Sequence, residues 1–84
     1  MKRSLIVYHR EGCHLCEQMV ASLFQFQKEL KYEIKQIDID TDPRVTAEER
    51  SRYNVDVPVV TFKDEVIFYH FFDETELRKV IAND

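Results

Sequence analysis

The sequence is poor in several things at once. One glycine and two prolines stand among 84 residues, with no tryptophan and only two cysteines. No stretch is rich in glycine, proline or serine, and there is no repeat or low-complexity segment. Nothing therefore reads as a linker, and residues 1–84 are expected to form one domain. That length leaves no room for a second domain binding NADPH or a flavin, so any electrons have to be exchanged with another molecule. Lys and Arg number 12 against 16 Asp and Glu, a net charge of −4, and no basic block is present. A nucleic-acid binder needs a basic surface to displace counterions, so nucleic acid is not an expected partner. No segment approaches transmembrane length. The apolar residues near the start end at His9-Arg10-Glu11, short of the about 7–15 residues of a signal-peptide core and without a small-residue cleavage site. No membrane contact is expected, and a reducing cytoplasm is the expected location.

What is present suffices for a core: 44% of residues are hydrophobic, including six Phe and four Tyr. Leu5-Ile6-Val7-Tyr8 is a near-continuous apolar run, the pattern of a buried central strand. Glu11-Gly12 breaks it. From His14 to Leu30, Cys16, Met19, Val20, Leu23, Phe26 and Leu30 recur at three- and four-residue steps, one face of an amphipathic helix. Tyr32 to Asp40 reads as a second strand. Strand, helix and strand within about forty residues suit a right-handed unit with parallel strands. Asp42-Pro43 reads as an N-cap and first helical residue of a short, mostly charged helix reaching about Tyr53. The strands Val57–Phe62 and Val66–Phe72 flank the turn Lys63-Asp64-Glu65, and Asp73 with Glu76 opens a last helix that buries Leu77, Val80 and Ile81.

The two cysteines fall at the junction of the first strand and helix. Closing a loop of about four residues contributes only about 2 kcal/mol by loop entropy, so Cys13–Cys16 would be a poor staple. Three residues apart on a helix they share a face, with Cα atoms about 5 Å apart, inside disulfide range. Cys13 falls at or near the N-cap, and no Ser, Thr, Asp or Asn stands there to accept the first-turn N–H groups. A thiolate can accept them and meets the positive end of the helix dipole. Only the thiolate is nucleophilic: about 3% is ionised at pH 7 for a pKa near 8.5, against about 90% for a pKa near 6. Cys16, one turn in on the apolar face, suits the resolving role. His14 as a cation would favour the neighbouring thiolate yet oppose the dipole. Glu11 works against ionisation of Cys13 and Arg10 for it.

Two other uses of the pair stay open, inert thiols and half of a zinc site. His9, His14 and His70 are the only histidines available to complete the latter, and none has the usual H-x3–5-H spacing. No metal and no cofactor is expected. His70 is expected to pack among the aromatics of the last strand. Pro58 begins a strand that otherwise reads as internal, where it cannot donate to the ladder.

Over essentially its whole length the chain resembles the short glutaredoxin-like branch of the thioredoxin superfamily. The resemblance lies in strand-Gly12-Cys13-His14-Leu15-Cys16-helix, in Ile37-Asp38-Ile39-Asp40 running into Asp42-Pro43, in Val55-Asp56-Val57-Pro58-Val59, and in the hairpin through Phe72-Asp73 to the final helix. It implies an α/β fold, a four-stranded mixed sheet flanked by helices in the order strand, helix, strand, helix, strand, strand, helix. It also implies that Cys13 attacks, that Cys16 resolves, and that Pro58 is cis beside them with the Val57 backbone pairing to substrate. Glutathione-using members carry a Gly-Gly step and an Asp after the last strand. Here that stretch is Tyr69-His70-Phe71-Phe72-Asp73, and the basic residue before the first cysteine has only Arg10 as counterpart.

The expected function is thiol–disulfide exchange through Cys13 and Cys16, with Arg10, His14, Val57 and Pro58 at the substrate. Expected partners are a protein or small-molecule disulfide and an outside reductant, either a flavoprotein reductase or glutathione; a monomer is expected. The alternatives are a redox-responsive binding module without turnover, contacting its partner through Phe68–Phe72, and a zinc or Fe–S protein.

Overall fold

The computed structural model describes residues 3–84. Strand β1 (Arg3–His9) is followed by α1 (His14–Leu30), β2 (Tyr32–Asp38), α2 (Ala47–Tyr53), β3 (Val59–Phe62), β4 (Glu65–Tyr69) and α3 (Glu74–Ala82). The order is the one expected. The sheet runs β2-β1-β3-β4, with β1 parallel to β2 and antiparallel to β3, and β4 antiparallel to β3.

Alternation along β1 and β3 divides the core between the two faces of this sheet. Leu5, Val7, Val60 and Phe62 point to one side, where Met19 and Leu23 of α1 and Leu77 and Ile81 of α3 pack on them. Tyr8 and Val59 point to the other, against Ile37, Ile39, Val45 and Tyr53. The Tyr32 hydroxyl, at the start of β2, donates to the Leu23 carbonyl of α1, and its burial pushes the phenol pKa up to about 12. Phe26 of α1 stacks on Phe72, with ring centroids 5.5 Å apart.

Five boundaries differ from the sequence reading, each for a local reason. β2 stops at Asp38 because the Asp38 side chain accepts the Asp40 N–H at 2.8 Å, closing a turn. Asp42-Pro43 does not open α2. Asp42 Oδ1 accepts the Arg44 N–H at 2.9 Å, and its carbonyl accepts the Val45 N–H at 3.1 Å, which makes a turn. The N-cap is Thr46, in a full capping box: the Glu49 N–H donates to Thr46 Oγ1 at 3.0 Å and the Thr46 N–H donates to Glu49 Oε1 at 2.9 Å. β3 begins at Val59, since Pro58 has no N–H for the ladder. β4 spans Glu65–Tyr69 because His70 turns to φ 64 and leaves the extended region. The hairpin loop is Lys63-Asp64, both at positive φ (52° and 67°), the mirror-image turn whose twist matches the strands.

Candidate active site

β1 points its C-terminal end at the cysteines. Arg10, Glu11 and Gly12 join it to α1, and Gly12 takes φ 77, a left-handed turn open to glycine at little cost. Cys13 is the N-cap of α1. Its sulfur accepts the Cys16 N–H at 3.1 Å, in the place an N-capping oxygen would take. The two residues form a disulfide with Cα atoms 5.2 Å apart. They differ in access: Cys13 is half-buried and Cys16 is only 3% exposed.

Val59 pairs with Tyr8, so Pro58 stands beside the end of β1 that leads into the cysteines. Pro58 is buried and the Val57–Pro58 peptide bond is cis. The Pro58 carbonyl accepts the His70 N–H at 2.9 Å. Among the described residues, no hydrogen bond engages the backbone N–H or C=O of Val57.

Arg10 is placed near the motif, but its guanidinium is committed elsewhere. It donates to Asp40 at 2.7 and 3.0 Å and to the Asn54 carbonyl and side-chain oxygen at 3.2 and 2.5 Å. The hydrogen bond from Arg10 holds the Asp40 carboxyl below its ordinary pKa. Thus Arg10 ties the loop before Cys13 to the loop after β2 and to the end of α2. Asp40 and Asn54 are parts of this arrangement that the sequence did not single out; both lie far from the cysteines along the chain. His14 stands out into solvent with its side chain 91% exposed, its Nδ1 3.7 Å from Glu17 Oε2.

A cleft of about 430 Å³ opens beside Cys16, bordered by Arg10, Gly12, Glu17, Val20 and Gln36. It lies on the β2 side of β1, whereas Pro58 lies on the β3 side. Of the aromatic run, Phe68 is buried and Phe72 half-buried, while Tyr69 and Phe71 are exposed. His70 leaves β4 at its end and sets its ring against those of Tyr69 and Phe71. Among the described residues no group of three or more His, Cys, Asp or Glu side chains gathers where it could hold a metal ion. None of their helices is long and apolar enough to cross a membrane.

A four-stranded mixed sheet of this order, with a C-x-x-C pair at the first strand–helix junction, is a thioredoxin-like fold with a close cysteine pair. The family model described as Glutaredoxin-like domain (DUF836) matches residues 4–82, and the chain belongs to that family. The solution structure of protein Ne2328 from Nitrosomonas europaea is 36% identical, covering 95% of this chain and 92% of that one, with a TM-score of 0.82. Protein XcR50 from X. campestris is 30% identical, covering 95% of this chain and 97% of its own, with a TM-score of 0.71. Thioredoxin from Fasciola hepatica, 18% identical over 98% of this chain and 80% of its own, has a TM-score of 0.60 and shares the fold. A search of curated proteins finds no match.

Proposed function

We propose that this protein is a thiol–disulfide oxidoreductase. The observation that carries the reading is the position of the Cys13 sulfur at the N-cap of α1, accepting the Cys16 N–H at 3.1 Å. In the reduced protein the same amide and the helix dipole favour a thiolate at Cys13. That thiolate attacks one sulfur of a substrate disulfide, forming a mixed disulfide at Cys13 and releasing the other sulfur as a thiolate. Cys16 then gives up its proton and attacks the Cys13 sulfur. The Cys13–Cys16 disulfide forms and the second substrate thiolate leaves, so two electrons have passed from the protein to the substrate. An outside dithiol or protein reductase returns them. A reductant thiolate attacks the more accessible Cys13 sulfur, and Cys16 leaves and takes up a proton. The reductant's second thiol then attacks its own sulfur in that mixed disulfide, and Cys13 leaves as the stabilised thiolate. The Val57 backbone pairs with the substrate beside Pro58, and Arg10 shapes the site through its hold on Asp40 and Asn54.

The test is turnover of a disulfide substrate with the native chain, Cys13→Ser and Cys16→Ser. Cys13→Ser should abolish it, and Cys16→Ser should stall as a mixed disulfide at Cys13 that mass spectrometry identifies. A Cys13→Ser protein as fast as the native chain would overturn the proposal. A second reading draws on the exposed Val55, Tyr69 and Phe71 near the site, Val55 being 78% and Phe71 68% exposed. There the same redox pair would govern contact with a partner, and stoichiometric exchange without turnover would favour it.

A further inference from the structure

His70 stands where the chain leaves β4, at φ 64, in the left-handed region where histidine is one of the enriched side chains. This turn directs two donors of one residue at one neighbouring segment. The His70 backbone N–H donates to the Pro58 carbonyl at 2.9 Å. Its ring Nε2 lies 3.1 Å from the Val55 carbonyl. A carbonyl only accepts, so Nε2 carries the proton in this contact. The Tyr69 and Phe71 rings meet the His70 ring edge to face, with centroids 5.1 and 6.2 Å away. The two carbonyls so held belong to residues on either side of Val57, whose own backbone groups have no hydrogen-bond partner among the described residues.

We propose that His70 is a positioning residue that clamps the Val55–Pro58 segment, keeping the Val57 N–H and C=O ordered and available to the backbone of a polypeptide substrate. The inference rests on the reading of Cys13 and Cys16 as an exchange pair and deepens it to a substrate class. A polypeptide disulfide has a backbone to pair with Val57 and gains from the clamp. A small disulfide has none and is indifferent to it.

The experiment compares native chain, His70→Gly and His70→Asn on two probes, a disulfide-bonded peptide and 2-hydroxyethyl disulfide. Glycine keeps the backbone N–H and adopts the left-handed conformation readily, so it removes the ring while adding backbone freedom, and His70→Asn controls for the latter. Asparagine tolerates that conformation and keeps a side-chain donor. The expected result for His70→Gly is a KM for the peptide raised about five- to tenfold, the worth of one hydrogen bond. Its kcat on the peptide and its kinetics on 2-hydroxyethyl disulfide should be unchanged, and His70→Asn should recover part of the loss. Nitrogen NMR of the native protein should show the Nε2–H tautomer. An unchanged peptide KM in His70→Gly, an equal loss on both probes, or an Nδ1–H tautomer would each overturn the clamp while leaving the exchange chemistry standing. A native chain that reduces neither probe would overturn the exchange reading, and the clamp with it.

Discussion

Arg10 and Asp40, thirty positions apart, are joined by two nearly parallel hydrogen bonds of 2.7 and 3.0 Å. The pairing is the two-pronged kind that guanidinium and carboxylate geometries favour, and it fixes the loop that delivers Cys13 to α1. Because the hydrogen bond from Arg10 lowers the Asp40 pKa in the folded state, the linkage has a definite sign. The stabilisation is fully present above the ordinary carboxylate pKa of about 4 and is lost as pH falls through the depressed folded value. Asp40→Asn should therefore unfold at a lower temperature than the native chain at pH 7, with the difference shrinking as pH falls below about 4. Both side chains are partly exposed, so added salt should also shrink it. A difference that grows toward acid would contradict the assignment. Melting curves across that range check it.

The two thiols should differ in reactivity once reduced. Cys13 is half-buried at the helix N-terminus and Cys16 is 3% exposed one turn inside. Iodoacetamide at pH 5 to 6 should modify Cys13 well before Cys16, since it reacts with the thiolate and needs access to it. Peptide mapping after a short pulse reads the ratio, and faster labelling of Cys16 would reverse the roles proposed for the pair.

Gly12 offers a test of backbone against packing. It holds φ 77, and an added Cβ would meet nothing within 4 Å. Gly12→Ala should thus cost only the left-handed conformation and the altered unfolded-state entropy, about 1 kcal/mol of stability. Gly12→Asn should cost less, because asparagine tolerates that region. Denaturant midpoints at constant slope measure both. A much larger loss would mean that the loop has been displaced.

Glutathione should be a poor electron donor. After β4 the His70 N–H donates to the Pro58 carbonyl and the Phe71 N–H to the Tyr69 carbonyl at 2.7 Å, so neither amide is open to its carboxylate. The N-terminus of α3 is capped by Asp73, whose Oδ1 accepts the Glu76 N–H at 3.0 Å. Glu74 and Glu76 add like charge in its first turn, which opposes a bound carboxylate. The rate of Cys13–Cys16 disulfide reduction by millimolar glutathione should be about tenfold or more below that with a flavoprotein reductase, the equivalent of one charge-assisted hydrogen bond. Side-by-side stopped-flow or coupled assays decide between them. A faster reaction with glutathione would show that the glycine-free turn is no obstacle.

The sequence by itself determined the order of elements, because β1 and α1 carry their own periods. Leu5 to Tyr8 has no polar interruption, and Met19, Leu23 and Phe26 keep one helical face. It also placed Cys13 at a helix start, where the absence of any capping hydroxyl or carboxylate leaves the sulfur as acceptor. For the start of α2 the sequence reading is Asp42-Pro43, and it is wrong: the completed capping box at Thr46 and the turn at Asp42 put the helix four residues later. The rest was decided by the tertiary structure. Arg10 reads as a cation free for a substrate until folding sets Asp40 and Asn54 around it. His70 reads as one more ring in an aromatic strand until its left-handed backbone brings it onto Val55 and Pro58. Hydrogen bonds within a turn or helix join near neighbours and leave a spacing to read. Bonds between loops depend on where the sheet carries each loop, and no local pattern records that.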